Sequence, residues 1–223
     1  HSLLASLTEI GLLQRTDAGR YRVGWRVLGL NRVLADTTEF RCHARPVMET
    51  LSAHFGETVH LGTLDDGQVM YVDRIQGTRA VQIAVSAIGS RLPAHCSAVG
   101  KALLATLSEQ SMLALVTARG LPAMTPKTVT DVDSLHSQLT EIALRGYALD
   151  LEEVLPEISC VAAPIIGRCG KGVAAISIAA PTYRFEAHFE AYRSAVVKGA
   201  QYVSRHLRAA EHIHPQRRTP AAA

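Results

Sequence analysis

The run CVAAPIIGRCGKGVAAISIAA, residues 160–180, decides the reading of the fold. Two apolar segments, 160–166 and 173–180, flank Gly167-Arg168-Cys169-Gly170, whose composition is that of a turn. The run predicts an apolar β-hairpin. Just upstream, 147–150 reads as a short strand before an acidic loop at 151–157, and a helix over 131–145 is stopped by Gly146. Further upstream, Val59, Leu61, Val69 and Tyr71 alternate with polar residues around Asp65-Asp66-Gly67, a hairpin with one buried face. Residues 80–86 read as a third strand and 87–96 as a loop carrying Gly89 and Pro93. Ser97 caps an Ala- and Leu-rich helix to about Leu107, and another helix starts near Ser108. A Pro- and Thr-rich loop follows at 121–130, and the last helix covers 185–208. Three strands, helices, three strands and a helix make an α+β fold. Its sheet is mainly antiparallel, of about six strands, with helices flanking it.

The N-terminal portion reads differently. Leu3, Leu4, Leu7 and Ile10 recur at helical spacing and Gly11 is a plausible stop. Residues 12–15 run out, Thr16-Asp17-Ala18-Gly19 turns, and 20–23 return. A helix followed by a two-stranded basic wing matches the back half of a winged helix-turn-helix, in which the helix enters the major groove and the wing meets phosphates. A small α/β fragment of another kind would look similar. Val27, Leu28, Leu30 and Leu34 then continue as a short amphipathic helix, a linker or a dimer contact. Phe40, Ala44, Val47, Met48, Leu51 and Phe55 stripe a longer one, with a kink or restart expected at Pro46.

Composition bounds the function. The chain has 223 residues, 48% hydrophobic and 19% charged, enough to bury a core built mostly from aliphatic side chains, since aromatics are 5%. No apolar run is long enough to span a bilayer, no signal segment opens the chain, and no membrane role is expected. The start at His1, inside an apparent helix, suggests that residues upstream are missing. Net charge is +3, unevenly spread: Arg15, Arg20, Arg22, Arg26 and Arg32 face only Glu9 and Asp17 within residues 1–35, whereas residues 36–192 are net acidic. That pattern suggests a polyanion-facing module on a different body, although a solvated surface would also show it. Cys42, Cys96, Cys160 and Cys169 form no CxxC pair, which points to a reducing, cytoplasmic setting. No HExxH, zinc pattern, GxSxG, P-loop or GxGxxG is present, so neither a metal nor a cofactor is expected.

Several blocks carry a resemblance. They are Leu92-Pro93-Ala94-His95-Cys96-Ser97-Ala98-Val99-Gly100-Lys101-Ala102-Leu103-Leu104-Ala105, Gly56-Glu57-Thr58-Val59-His60-Leu61, Val69-Met70-Tyr71-Val72-Asp73, Arg145-Gly146-Tyr147-Ala148-Leu149-Asp150, Cys160-Val161-Ala162-Ala163-Pro164-Ile165 and Ala174-Ala175-Ile176-Ser177-Ile178. Together they resemble the IclR-type bacterial transcriptional regulators, in family order, over about residues 1–210. The resemblance implies a remnant of a winged helix-turn-helix DNA-binding domain at 1–25 and a linker helix at 26–38. It implies a GAF/PAS-like effector-binding domain at 39–210, with a disordered tail at 211–223. The implied partners are operator DNA, a small organic acid effector (carboxylic, with an aromatic acid one option) and further copies of the chain, as a homodimer or homotetramer.

The Ser97 helix is the chemically informative element. Its first-turn N–H groups have no partner inside the helix, and small side chains there let a carboxylate approach, although most helix starts are merely capped. By resemblance, Val81, Ala84 and Leu92 are apolar walls, Ala98 and Val99 supply backbone N–H groups, Asp150 and Cys160 reach in from later strands, and Ser177 donates a hydroxyl beside Ala179. Asp150 has a second reading, as a cap on the loop after it, and Cys160 one as an ordinary buried thiol. Lys101 reads as a carboxylate partner or, one turn into the helix, as a solvated residue, and the solvated reading keeps it out of the ligand set. The DNA contacts implied are His1 and Ser2 from the helix and Arg15, Arg20 and Arg22 from the wing. Two rival functions stand beside the regulator. One is a hydrolase built on His95-Cys96 with Asp150, although neighbours in sequence rarely face each other. The other is a stand-alone binding or oligomerisation module.

Overall fold

A computed structural model describes residues 2–79 and 86–209. Its elements run α1 (Ser2–Glu9), β1 (Leu13–Arg15), β2 (Tyr21–Val23), α2 (Arg26–Thr37), α3 (Glu39–Phe55), β3 (Thr58–Asp65), β4 (Gln68–Ile75), β5 (Arg91–Pro93), α4 (Ala98–Leu104), α5 (Glu109–Arg119), α6 (Val132–Arg145), β6 (Ala148–Leu151), β7 (Ile158–Ile166), β8 (Gly172–Pro181) and α7 (Thr182–Ala209). The chain divides into two units, His1–Cys42 and His43–Ala223.

In the first unit α1 stops at Gly11, whose φ of +73° suits a residue without Cβ. β1 and β2 pair antiparallel with Gln14 opposite Arg22, and the turn closes through Thr16 N–H to the Arg20 carbonyl at 2.7 Å. α2 buries none of its residues, and Leu28, Leu30, Val33 and Leu34 stand exposed.

The second unit is built on a six-stranded antiparallel sheet in the order β5-β4-β3-β8-β7-β6. The 160–180 run forms β7 and β8, with Cys160 opposite Ala179 and Ala162 opposite Ser177. β8 is buried along most of its length because α4 lies on one side of the strands and α7 packs on β7 and β8. α3 runs unbroken through Pro46, where a kink or restart was expected, so the chain does not restart there. Pro46 is exposed while Ala44, Met48 and Leu51 are buried, so the ring faces water and the apolar stripe is undisturbed. Gly199 on α7 lets α3 approach, since a Cβ there would lie 2.7 Å from Val47 Cγ1.

Other expectations are corrected or fall outside the described residues. The segment 87–96 is not wholly loop: β5 pairs Arg91, Leu92 and Pro93 with Met70, Val69 and Gln68 of β4. At a sheet edge Pro93 is tolerated because no ladder needs its missing N–H. The strand expected at 80–86 falls on positions outside the described residues, apart from Ser86, which belongs to no strand. α4 ends at Leu104 rather than Leu107, and α7 begins at Thr182, before the expected start. The tail expected to be disordered also lies outside the described residues. Among those described, no helix is long and apolar enough to cross a membrane.

Candidate effector cavity

α4 is set down on the sheet by residues that lack bulk. Every one of its residues is buried. A Cβ on Gly100 would lie 2.2 Å from the Ala94 carbonyl oxygen, and one on Gly62 of β3 would lie 2.8 Å from Val99 Cγ1. The two glycines therefore let the first turn of α4 sit close to both the preceding loop and the strand beneath it. Ser97 caps that turn, its hydroxyl accepting from Gly100 N–H at 3.0 Å. Lys101 N–H returns to the Ser97 carbonyl, so the first-turn amides without an intrahelical acceptor are those of Ala98 and Val99.

Beside this turn lies a narrow cavity of about 30 Å³. Leu92, Ala98, Val99, Asp150, Cys160, Ser177 and Ala179 all line it. These are every expected ligand-facing residue that the structure describes. Val81 and Ala84 lie outside the described residues, as does His1 of the DNA set. The β-sheet register explains the gathering. Asp150, Cys160 and Ala179 are cross-strand partners in sequence along β6, β7 and β8, so their side chains share one face. His60 of β3 stands opposite Ser177 in the same way.

Sequence reasoning missed His60, Tyr71 and Ser86, which also line the cavity. His60 Nε2 lies 2.8 Å from Ser86 Oγ, and its ring tilts over Tyr71 at 5.1 Å. His60 sits between Val59 and Leu61 in a strand buried on both faces. A titratable residue inside an apolar strand was the available signal. Burial first, and the positive charge of Arg74 second, hold its imidazole down to about 3, so the ring is neutral at ordinary pH. Burial raises the Tyr71 phenol as well, keeping it a neutral donor.

Asp150 caps the loop after it and also lines the cavity. Its Oδ1 accepts from Glu153 N–H at 2.7 Å and from Val154 N–H at 3.4 Å. Burial pushes its carboxyl up to about 7. The Glu153 N–H and Lys101 pull it back down, and the Glu153 charge adds to the rise. Burial and the Asp150 charge raise the Cys160 thiol.

Lys101 is not solvated, contrary to expectation. It is buried, donating to the Glu153 carboxylate and to Gln138 Oε1 at 3.0 Å. The reason is long-range: Glu153, from the acidic loop, folds back over α4, and the Thr125 and Thr128 hydroxyls hold that loop by its Glu152 and Glu153 carbonyls. The His95-Cys96 pair is not a nucleophile and its base. His95 Nε2 faces the Pro122 carbonyl at 3.2 Å, the Cys96 thiol faces the Pro93 carbonyl, and burial pushes that thiol up to about 12. Among the described residues no cluster could hold a metal ion. In the other unit Ser2, Arg15, Arg20 and Arg22 are exposed, Arg22 bonding Gln14 Oε1 at 3.0 Å.

Comparison with known proteins agrees with this architecture. A family model described as the C-terminal part of the bacterial transcriptional regulator IclR matches residues 33–205. The HTH-type transcriptional regulator XynR of Escherichia coli K12 is 35% identical over 83% of this chain and 74% of its own length. The transcriptional repressor IclR of the same organism is 29% identical over 92% of this chain and 76% of its own. Among solved structures, the Thermotoga maritima IclR superposes with a TM-score of 0.81 at 29% identity, covering 93% of this chain and 84% of that one. An IclR homologue from Microbacterium hydrocarbonoxydans, complexed with 4-hydroxybenzoate, gives 0.81 at 26% identity over 94% of this chain and 85% of its own.

Proposed function

The chain belongs to the IclR family of bacterial transcriptional regulators, and from that premise we propose that the α4 cavity binds a small organic acid and thereby alters operator binding by the complete protein. The observation that carries this reading is the convergence on one cavity of first-turn amides, hydroxyls and a carboxyl with a raised pKa. α4 has only seven residues, so its dipole is short and the amides of Ala98 and Val99 are the working donors for a carboxylate. The Tyr71 and Ser177 hydroxyls would serve the ligand's other polar atoms. With its pKa near neutrality, Asp150 can donate a proton to a carbonyl or accept one from a hydroxyl. Leu92, Val154, Leu155 and Ala179 supply apolar walls, and Ala179 leaves that side of the site without a hydroxyl. A related protein holding 4-hydroxybenzoate supports an aromatic acid as one option.

The segments 1–25, 26–38, 39–210 and 211–223 then act as DNA-binding remnant, linker, effector domain and tail. Ser2 on α1 and Arg15, Arg20 and Arg22 on the hairpin meet the operator, with His1 beside them, and the exposed apolar residues of α2 support assembly as a homodimer or homotetramer. The acid acts by population shift: it stabilises whichever arrangement closes on it, and operator affinity follows. The raised Cys96 thiol argues against the hydrolase reading, and the relatives are transcriptional regulators.

The test is a thermal-shift panel of keto, hydroxy and aromatic acids, followed by salt-dependent operator binding with the full-length protein. A bound acid at about 100 times its Kd stabilises the fold by about 2.7 kcal/mol. If no acid shifts the transition, or if an acid does and operator binding ignores it, the reading fails.

A further inference from the structure

β6 reads Ala148-Leu149-Asp150-Leu151, and strand alternation sets Asp150 on the cavity side while Leu149 and Leu151 line a separate groove with Phe185 of α7. A carboxyl is a paradoxical wall for a site that takes acids, because two negative charges brought together away from water repel. Nothing in the lining offsets it. The described lining residues include neither Lys nor Arg, and His60 is neutral. Residues 80–85, AVQIAV, carry no charge in sequence. Lys101 does not line the cavity and is engaged by Glu153. A cavity of about 30 Å³ has room for about one or two waters, so solvent inside it screens little.

Burial outweighs the groups that would hold Asp150 charged. The residue is 4% exposed. The Glu153 N–H favours its ionisation, with Lys101 of α4 and the Val154 N–H behind it, and the Glu153 carboxylate opposes it. The other titratable neighbours are the Cys160 thiol across the ladder on β7, the Tyr71 phenol on β4 and the Cys96 thiol before α4. Burial first, with the Asp150 charge among the lesser causes, keeps all three protonated, so none supplies a counter-charge. The balance leaves the Asp150 carboxyl at about 7, within reach of a proton. Its Oδ1 is occupied by the Glu153 and Val154 N–H groups, and its Oδ2 has no hydrogen bond to a described residue.

We infer that the cavity takes an acid anion together with one proton, drawn from solvent and held by Asp150 on Oδ2, so that effector affinity falls as pH rises. The inference rests on the acid-binding reading above and specifies how that binding is regulated. An ionised Asp150 gains the proton on binding, and one already protonated keeps it. The proton cancels the charge that the ligand brings, and the Oδ2–H group becomes a hydrogen-bond donor to the ligand. No bond other than O–H forms, and nothing is oxidised or reduced. A fall in pH then lets a lower concentration of the same acid fill the site.

The probes are the sodium salts of pyruvate, lactate, benzoate and 4-hydroxybenzoate at matched ionic strength, whose carboxylates stay ionised over the range used. The full chain and Asp150→Asn are titrated by thermal shift at several pH values, and calorimetry in buffers of different ionisation enthalpy counts protons. The variant keeps an amide oxygen to accept from the Glu153 and Val154 N–H groups. For the wild type, the half-saturating concentration of the best probe rises about tenfold or more from about pH 6.5 to about pH 8.5, with proton uptake on binding. In Asp150→Asn the slope and the uptake vanish, whatever affinity remains. A wild type whose midpoint is flat over this range, or that binds without taking up a proton, overturns the inference and leaves acid binding standing. A slope that survives in Asp150→Asn overturns it too, because the proton then sits on another group such as Glu153. A wild type that answers none of the four probes at about pH 6.5 also overturns it, and the wider panel above then decides on acid binding separately. The carboxyl carbon resonance that Asp150→Asn removes, read by NMR, is an independent measure. It titrates near neutrality in the unliganded chain and stays in the protonated form to higher pH under saturating probe. A resonance already that of a carboxylate at about pH 5, or one that the probe does not move, overturns the inference.

Discussion

Replacing Lys101 by Met probes the joint between α4 and the acidic loop. The ammonium and the Glu153 carboxylate are 3% and 8% exposed, and Glu153 Oε2 already has no hydrogen-bond partner. Methionine keeps most of the stem volume, so the loss is one of charge rather than packing. Removing one member of a buried pair typically costs about 3–5 kcal/mol, because the other charge stays buried without compensation. Here the cost is limited by proton uptake. Burial already raises the Glu153 carboxyl, and the pull of Lys101 is the main influence holding it down. Without Lys101 it rises further and Glu153 takes a proton instead of staying charged. The expected loss is therefore about 3 kcal/mol near pH 8 and smaller near pH 5. The sign follows from linkage: a carboxyl with a raised folded pKa contributes stability at low pH that is lost as pH climbs through the folded value. Urea unfolding followed by far-UV circular dichroism is the assay, since the single tryptophan, Trp25, lies in the other unit. With a slope of about 2 kcal/mol/M, the midpoint drops by about 1.5 M at pH 8. In the double variant Lys101→Met/Glu153→Gln most of that loss returns, because no unpaired charge remains. A single variant within about 0.3 M of wild type, on the same slope, refutes the reasoning, as does a double variant no more stable than the single.

Two further outcomes follow from the same geometry. Asp150→Asn keeps an oxygen to accept from Glu153 and Val154 N–H but removes a carboxyl whose folded pKa of about 7 exceeds its unfolded value. Wild-type stability should therefore fall relative to the variant as pH rises from about 4 through 7, and parallel curves from pH-dependent urea titrations would contradict the assignment. Gly100→Ala places a Cβ 2.2 Å from the Ala94 carbonyl oxygen and 2.4 Å from its Cα, both backbone atoms, so relief requires α4 to move. A loss of about 3 kcal/mol together with any acid response is expected, and an unchanged melting temperature would rule out the close approach.

Much of the fold was legible because its signals are local. The 160–180 hairpin, the Asp65-Asp66-Gly67 turn, the cap at Ser97, the helix starts near Ser108 and Asp131 and the stop at Gly146 each depend on a few neighbouring residues. β5 was not legible, because a three-residue edge strand ending in Pro93 has no period to detect. The environments of charged residues were the harder part. Lys101 looks solvated in sequence because its partner Glu153 is 52 positions away, and Arg74 gives no local sign that two of its nitrogens are buried. The cavity residues from Leu92 to Ala179 came from family resemblance, and the sheet register then supplied the physical reason they meet. His60 and Ser86 were missed because their contact spans 26 residues and depends on how segments pack.

The two margins of the sheet carry a consequence for how the protein fails when heated. β5 has three residues and ends in a proline, and β6 has four before Glu152, at φ +64°, turns the chain aside. Neither offers a length of open backbone sufficient to template cross-β growth by native molecules. Precipitation should consequently track the population of opened chains rather than total protein. An acid that stabilises the closed fold should then slow precipitation in proportion to its occupancy.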